Sequence, residues 1–180
     1  MNDTPHHEYL DIAFGQLSFA IKLWNYLDEN PIEKEKFDIK LTIDNPKCKV
    51  CLPGGEFGTY SDIKIASENS ISIAFGAAAI TLWEAIQEYS LIKPNTLDPK
   101  RSYKENLASL SYMIRCCFAH GSAVKKWAMN NKKYKELYHV GSRTIDLSNI
   151  RKGQVFEYQS IAGCGTLWLL KDEAFKVGLI

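Results

Sequence analysis

Apolar residues recur with helical spacing along three stretches of the chain. In residues 7–29 they stand at every third or fourth position, at Leu10, Ala13, Phe14, Leu17, Ile21, Trp24 and Leu27. This spacing places them on one face of a helix of about six turns. Asn30-Pro31 ends the helix, because a residue before proline is driven out of the helical conformation.

Two further long helices are predicted. The second extends from about residue 69 to 89 and contains a run of small residues that would let a neighbouring helix approach closely: Ala74, Gly76, Ala77, Ala78 and Ala79. A separate short helix through Ala66, capped by Ser61-Asp62, precedes it. The third begins near Tyr103 and reaches residue 120. After Gly121 a further helical turn or two is predicted to hold Val124 and Trp127.

Extended chain is predicted in two places. Between residues 32 and 60, apolar residues alternate with polar ones and turn signals follow, which predicts an insertion with a strand or hairpin. From residue 135 onward, four short β-prone runs predict a small antiparallel appendage, at residues 137–140, 144–147, 155–158 and 166–170. The chain is therefore predicted to be mainly α. Residues 1–134 would form a helical domain, and residues 135–180 a β appendage packed on the same domain.

Composition and charge add one local feature to an ordinary folded chain. The 180 residues are 46% hydrophobic and carry a net charge of +1, which excludes a disordered chain and a polycation. Between Lys100 and Lys135, however, nine basic residues accompany one acid, Glu105. A polyanionic substrate would need such a basic segment. A solvated, lysine-rich helix end, favoured by the helix dipole, gives the same pattern.

The sequence predicts neither a membrane span nor a metal site. The longest apolar run, residues 71–83, contains Ser72 and Thr81 and is too short to span a bilayer. The N-terminus lacks the regions of a signal peptide, so a cytoplasmic protein is predicted. Five cysteines suit a reducing compartment. Cys48 and Cys51 resemble half of a zinc site, but such a site needs four ligands, so no metal and no cofactor is predicted.

The end of the third helix combines two residues that can cut a phosphodiester. Arg115 is permanently charged and offers a planar fork of donors suited to phosphate. His120, five positions later, titrates near neutral pH and can move protons. The imidazole would act as the acid or base, and the guanidinium would stabilise the charge that builds on phosphorus.

The context of this pair resembles the HEPN superfamily, small all-helical domains that include many metal-independent RNases of bacterial defence and toxin systems. The resemblance covers about residues 8–130. It rests on Arg-x4-His together with Leu110, Ile114, Phe118-Ala119, Gly121 and Trp127. It implies an up-and-down helical bundle, an endoribonuclease activity, a homodimer with a composite active site, and an antitoxin or inhibitor protein as a partner. One position differs: the residue after the arginine is usually polar in this family and here is Cys116.

The residues around the pair complete the predicted site. Cys116, Ser122, Lys125 and Lys126 are predicted to bind the RNA substrate. Trp127 and Tyr134 either stack on unpaired bases or belong to the core. On an unbroken ideal helix, residues 115 and 120 lie about 140° apart around the axis. Either the helix breaks between them, or a second copy of the chain supplies the missing group.

Two functions follow from this site. The first is a metal-independent endoribonuclease in which a substrate 2′-hydroxyl attacks the adjacent phosphorus, with His120 as general acid or base. The second is a catalytically inactive domain that binds RNA, a nucleotide or a partner protein. Cys116 in place of the usual polar residue favours the second.

Overall fold

The computed structural model describes residues 5–32, 34–45, 48–119 and 125–180. Its helices and strands are, in chain order, α1 (Pro5–Glu29), α2 (Lys34–Phe37), β1 (Leu41–Asn45), β2 (Cys48–Leu52), α3 (Tyr60–Ser90), α4 (Tyr103–Phe118), β3 (Leu137–Val140), β4 (Arg143–Asp146) and α5 (Thr166–Lys176). Short 3-10 turns lie at Pro94–Thr96, Lys132–Tyr134 and Tyr158–Ile161. The described chain is mainly helical with two small antiparallel sheets, so the predicted class is confirmed.

The chain divides into two compact units. The first comprises Met1–Gln16 and Ile73–Ile180, and the second comprises Leu17–Ser72. Helices α1 and α3 each contribute to both units. The boundary predicted at residue 134 falls inside the first unit, and the insertion predicted at about residues 32–60 falls inside the second.

The second unit contains the predicted hairpin. Strands β1 and β2 pair antiparallel, with Leu41 opposite Leu52, which confirms a hairpin within the insertion. After β2 the chain returns to the segment that precedes β1. There the carboxylate of Asp38 accepts hydrogen bonds from the backbone N–H groups of Glu56 at 3.0 Å and Phe57 at 2.8 Å. These bonds close the loop around the hairpin.

Helix α3 is longer than the sequence predicted. It is one continuous helix of 31 residues, so the prediction of a separate short helix through Ala66 is wrong. No glycine or proline interrupts residues 60–70. The polar side chains there bond back to the helix instead, with Ser67 donating to the carbonyl of Lys64 at 2.7 Å and Ser70 to that of Ala66 at 2.9 Å.

By length and composition alone, α3 could cross a membrane. The prediction that this segment is too short to span a bilayer considered only the apolar run of residues 71–83, whereas the helix extends well beyond that run. A core helix of a soluble protein passes the same test. In α3, Phe75, Leu82 and Ile86 are fully buried within the chain. The absence of a membrane contact stays a prediction.

The small residues of α3 do allow a close helix contact. A Cβ added to Gly76 would lie 2.8 Å from the ring of Phe118, at the C-terminal end of α4. Phe118 and Phe75 stand 5.4 Å apart between ring centroids, and Phe156 lies 5.2 Å from Phe118. Trp127 joins this aromatic cluster, 5.3 Å from Phe156. The cluster forms the floor beneath the end of α4.

Helix α4 has a side-chain cap at its N-terminus, and most of its residues are buried. Ser102 caps it by accepting from the backbone N–H of Glu105 at 3.2 Å, and the Ser102 hydroxyl donates to the carboxylate of Glu105 at 3.2 Å. Ten of its sixteen residues are buried, including the polar Asn106. Asn106 donates to the carbonyl of Pro99 and accepts from the backbone N–H of His139 at 2.9 Å. This side chain therefore joins α4 to β3.

The C-terminal segment is only partly β. Strands β3 and β4 form the first predicted hairpin, with Tyr138 opposite Ile145. The predicted strand at residues 166–170 is wrong, because it is the start of α5. A short apolar run cannot distinguish a strand from a buried helix. Here Leu167, Leu170 and Ala174 are buried at helical spacing.

The run at residues 155–158 does not form a named strand either. Val155 makes a single bridge with Lys126, and Tyr158 begins a 3-10 turn. The backbone N–H of Phe156 donates to the carbonyl of Lys125 at 2.9 Å, and that of Trp127 to the carbonyl of Gln154 at 2.8 Å. Residues 125–127 are therefore extended. The helical turn predicted through Trp127 is wrong there, and its earlier part, including Val124, lies outside the described residues.

Candidate functional site

The C-terminal end of α4 positions Arg115. The helix ends at Phe118, and the N–H of Ala119 still donates to the carbonyl of Arg115 at 3.1 Å. His120 and Ser122 lie outside the described residues. Because α4 ends before residue 120, the angle of an unbroken helix does not apply to the pair. The predicted homodimer therefore rests on the resemblance alone.

Arg115 is half-buried and lines a cavity of about 460 Å³, here called the Arg115 cavity. Its Nε is buried and has no hydrogen-bond partner within the part of the chain that the structure describes. A buried donor left without an acceptor costs roughly 1–3 kcal/mol. An anionic oxygen bound in the cavity would pair with the guanidinium charge.

The other described residues that line the Arg115 cavity are polar, aromatic or apolar, and none is acidic: Pro94, Asn95, Tyr112, Met113, Cys116, Ala128, Asn130, Asn131, Lys133 and Tyr134. Three of them are asparagines, whose amides both donate and accept hydrogen bonds. The rings of Tyr112 and Tyr134 stand 5.8 Å apart between centroids. The lining therefore offers groups that contact a base as well as a cation for phosphate.

Lys133 has a structural role at the rim of this cavity. Its Nζ donates to the carbonyls of Leu97 and Asn95 and lies 5.0 Å from the ring centroid of Tyr134. Tyr134 in turn donates to the carbonyl of Pro94 at 2.9 Å. These bonds attach the turn at residues 94–97 to the turn at residues 132–134. Tyr134 is 6% exposed, so most of its ring belongs to the core.

Tyr112 and Cys116 form one wall of the cavity. Burial, followed by a side-chain hydrogen bond with Cys116, raises the pKa of Tyr112 to about 12. Tyr112 is therefore a neutral phenol near pH 7, able to donate a hydrogen bond and unsuited to act as a base. Cys116 is half-exposed and lines the cavity next to Arg115, as expected for a substrate-binding position.

A second cavity, of about 370 Å³, shares a wall with the first. It is called the Lys126 cavity and is lined by Cys116, Cys117, Lys126, Trp127, Ala128, Asn130, Lys152 and Gly153. Lys126 is exposed on it. Lys125, by contrast, lies 4.2 Å from the ring centroid of Tyr158 and 3.2 Å from its hydroxyl. Of the two lysines predicted to bind substrate, only Lys126 lines a cavity next to Arg115.

Trp127 belongs to the core, at 1% exposed, although it also lines the Lys126 cavity. Burial strongly raises the pKa of the neighbouring Cys117 thiol, so Cys117 is an uncharged core residue. Sequence reasoning missed the contributions of Lys152 and the three asparagines. Asn130 and Asn131 stand within the basic segment, which was a usable signal, whereas nothing in the sequence places Lys152 beside Lys126.

A third cavity lies elsewhere in the first unit. It has a volume of about 530 Å³, is called the α1–α3 groove, and is lined by Tyr9, Ile12, Ala13, Gln16, Ala77, Thr81, Glu84, Ala85 and Glu88. Its described lining contains two acids and no base. Within the described residues, no group of three or more His, Cys, Asp or Glu side chains is placed to hold a metal ion. Cys51 is an exposed free thiol on β2.

Comparison of the chain with protein-family models, with curated proteins and with solved structures gives no match. The assignment of a function therefore depends on the chemistry of the Arg115 cavity and on the Arg-x4-His motif to which Arg115 belongs.

Proposed function

We propose that the chain is a metal-independent endoribonuclease of the HEPN type, which binds the scissile phosphate of RNA at Arg115. The observation that carries the proposal is the half-buried Arg115, which lines a cavity of about 460 Å³ whose described lining contains no acid. A guanidinium in such surroundings is suited to an oxyanion, because water is partly excluded and no neighbouring carboxylate competes.

The chemistry follows from the groups at this end of α4. The 2′-oxygen of the substrate forms a bond to the adjacent phosphorus, and the bond from phosphorus to the 5′-oxygen breaks. His120 accepts the proton of the 2′-hydroxyl or returns a proton to the leaving 5′-oxygen. Arg115 stabilises the charge on the pentacoordinate phosphorus. Tyr112 stays protonated near pH 7, so it does not serve as the base that accepts the proton of the 2′-hydroxyl.

The nucleophile in this proposal is supplied by the RNA, so no activated water is required. Magnesium sites normally need carboxylates, and the described lining of the Arg115 and Lys126 cavities contains none. Charge compensation is assigned to Arg115 and to nearby lysines. The same proposal includes a helical bundle of the HEPN type and a homodimer with a composite site. It also includes an inhibitor protein as partner, a toxin or defence role and a cytoplasmic location.

A second candidate function is binding of RNA without cleavage. Cys116 stands where the resembling family usually has a polar residue, and its thiol is hydrogen-bonded with Tyr112 on the cavity wall. The asparagines, the tyrosines and Arg115 could hold a nucleotide without any contribution from His120.

The decisive experiment separates the two candidates by their products. The purified chain is incubated with an end-labelled single-stranded RNA in excess EDTA, with a DNA of the same sequence as control, and the products are analysed by mass spectrometry. We expect RNA fragments that end in a 2′,3′-cyclic phosphate or a 3′-phosphate, and no cleavage of DNA, which lacks the 2′-hydroxyl. A parallel incubation contains magnesium and no EDTA, and fragments with 5′-phosphate ends that form only there would exclude the mechanism. Intact RNA that stays bound would favour the second candidate.

A further inference from the structure

We infer that the Lys126 cavity is a second subsite of the same site, which binds the nucleotide next to the one held at Arg115, so that the ligand is single-stranded RNA of at least two nucleotides. This inference rests on the proposed function for the identity of the ligand as RNA. Its geometry is independent of whether the RNA is cut.

The two cavities adjoin each other at the end of α4. Cys116, Ala128 and Asn130 line both of them, and Cys116 directly follows Arg115 on α4. Their volumes, about 460 and 370 Å³, fall within the range of roughly 300–1,000 Å³ that holds small ligands in proteins. Each cavity therefore has room for a ligand of the size of a nucleotide.

The Lys126 cavity is basic in its own right. Lys126 and Lys152 both line it, both are exposed, and neither has an ion pair with a residue that the structure describes. Its described lining contains no acid. Lys152 comes from the turn after Ile150, far along the sequence from α4. The turn is held beside the cavity because the N–H of Gly153 donates to the carbonyl of Trp127 at 2.9 Å.

Trp127 is the buried aromatic residue in the lining of this cavity. The side chain is 1% exposed, and its Nε1 is buried without a hydrogen-bond partner among the described residues. Buried indole N–H groups usually have a partner, because leaving one unpaired is costly. This N–H lies too deep for a ligand in the cavity to reach, so the basic character of the subsite comes from Lys126 and Lys152.

The size and lining of the cavities favour a single strand. Each can enclose one unstacked nucleotide, and the aromatic and amide groups of the Arg115 cavity can contact a base only if that base is unpaired. A duplex is instead recognised across a wide, shallow groove through its backbone. Two adjoining small cavities with cations at both ends fit two successive nucleotides of a flexible strand.

The test measures binding without cleavage. A fluorescent 2′-O-methyl oligoribonucleotide, which cannot supply the attacking hydroxyl, is titrated against the wild type, Lys126→Ala, Lys152→Ala and the control Lys22→Ala at several salt concentrations. Lys22 is exposed on α1, away from both cavities along the chain.

We expect Lys126→Ala and Lys152→Ala each to weaken binding roughly threefold to tenfold, and to reduce the salt slope of log Kd by about 0.7 for each phosphate that the protein no longer neutralises. Lys22→Ala should bind as the wild type does, Lys152→Arg should restore binding, and a duplex of the same sequence should bind more weakly than the single strand.

Each result has a distinct meaning. If the lysine variants bind the oligonucleotide as tightly as the wild type, or if the duplex binds as tightly as the single strand, the second subsite is wrong, even where natural RNA is still cleaved. If the lysine variants lose affinity while natural RNA stays intact, the subsite is supported and the nuclease activity is excluded.

Discussion

The Arg115 cavity and the α1–α3 groove have similar volumes, about 460 and 530 Å³, but opposite charges. Arg115 and Lys133 line the first, and Glu84 and Glu88 line the second. Both lie in the first compact unit of a chain whose net charge is only +1. In this protein, therefore, neither cavity volume nor overall charge identifies a polyanion site. The local separation of charge identifies it.

The two regions also differ in the donors that they leave unpaired. The Arg115 and Lys126 cavities are lined by Arg115 and Trp127, each with a buried N–H that has no partner among the described residues. The described lining of the α1–α3 groove includes no residue with such a donor. Buried polar side-chain atoms without such a partner also occur at Trp24, Ser109 and Ser111, which line neither cavity. The charge of the lining is therefore the criterion that selects the end of α4.

The largest effect should come from His120. Replacing it with alanine removes the acid or base of the proposed reaction, and we expect RNA cleavage to fall by about 10²–10⁴-fold. His139→Ala is the matched control, because His139 is exposed on β3 and its Nδ1 contacts only Thr144 among the described residues, at 3.2 Å. Rates are measured at equal concentrations of folded protein. If both variants lost the same amount of cleavage activity, the loss would not be specific to the end of α4.

The next effect should come from Arg115→Lys. Lysine keeps the charge but loses the planar fork that aligns a phosphate. A hydrogen bond to a charged group is worth about 1.5–3 kcal/mol, so we expect roughly 10- to 100-fold slower cleavage with the fold unchanged. Arg151→Lys, on an exposed turn, should cleave at the rate of the wild type. Near-normal cleavage by Arg115→Lys would mean that the residue acts as a point charge at most.

Packing should distinguish the two regions as well. In Gly76→Ala the new Cβ would meet the Phe118 ring at 2.8 Å, behind the end of α4. We expect a loss of about 1–3 kcal/mol in the free energy of unfolding, measured by urea denaturation, because this core has no room for a methyl group. In the control Gly15→Ala, the Cβ has nothing within 4 Å. That variant should be about 0.5–1 kcal/mol more stable, since alanine is the better helix former. A Gly76→Ala protein as stable as the wild type would show that the end of α4 is loosely packed.

The smallest effect concerns an acid that lies apart from both regions. Glu173 on α5 accepts a hydrogen bond from the Tyr103 hydroxyl at 2.8 Å and pairs with Lys176 at 3.1 Å. These partners, Tyr103 foremost, hold the pKa of Glu173 below its ordinary value of 4.5. A carboxyl with a lowered pKa stabilises the fold above its unfolded pKa, and this contribution is lost as pH falls through the folded value.

Thermal unfolding of the wild type and of Glu173→Gln at about pH 7 and about pH 3 checks this point. The melting temperature of the wild type should fall more between the two conditions than that of the variant, because glutamine does not titrate. Glu157→Gln, at an exposed position, is the control and should follow the wild type. Identical pH dependence in all three proteins would show that the pair between Tyr103 and Glu173 is not formed in solution.

The sequence predicted those parts of the fold that depend on periodicity. The apolar face of α1, the start of α4 at Tyr103 and the hairpin of β3 and β4 all follow a local pattern, and each is confirmed. Helix α4 ends at Phe118, short of the predicted residue 120. Residues 166–170 could not be assigned in the same way, because a short, largely apolar run satisfies both a strand and a buried helix. Their burial against the rest of the first unit, which the sequence does not show, decides for a helix.

The candidate site was only partly predictable for a similar reason. Arg115 and Cys116 were found from a local motif, and both line the same cavity. Lys152 reaches the Lys126 cavity through a long-range turn contact, and Lys125 is instead directed to Tyr158. Such tertiary contacts have no local signal. The positions of His120 and Ser122 lie outside the described residues, so their part in the site stays a prediction.

We propose that RNA binds at the end of α4 and not in the α1–α3 groove, and both regions carry tyrosines that can report on it. A 2′-O-methyl oligoribonucleotide containing 4-thiouridine is cross-linked to the protein by light, and the attached residues are identified by mass spectrometry. We predict cross-links at Tyr112, Tyr134 or other residues lining the Arg115 and Lys126 cavities, and a loss of these cross-links at high salt. Cross-links at Tyr9 or elsewhere in the α1–α3 groove, or none that unlabelled RNA can compete away, would contradict the account.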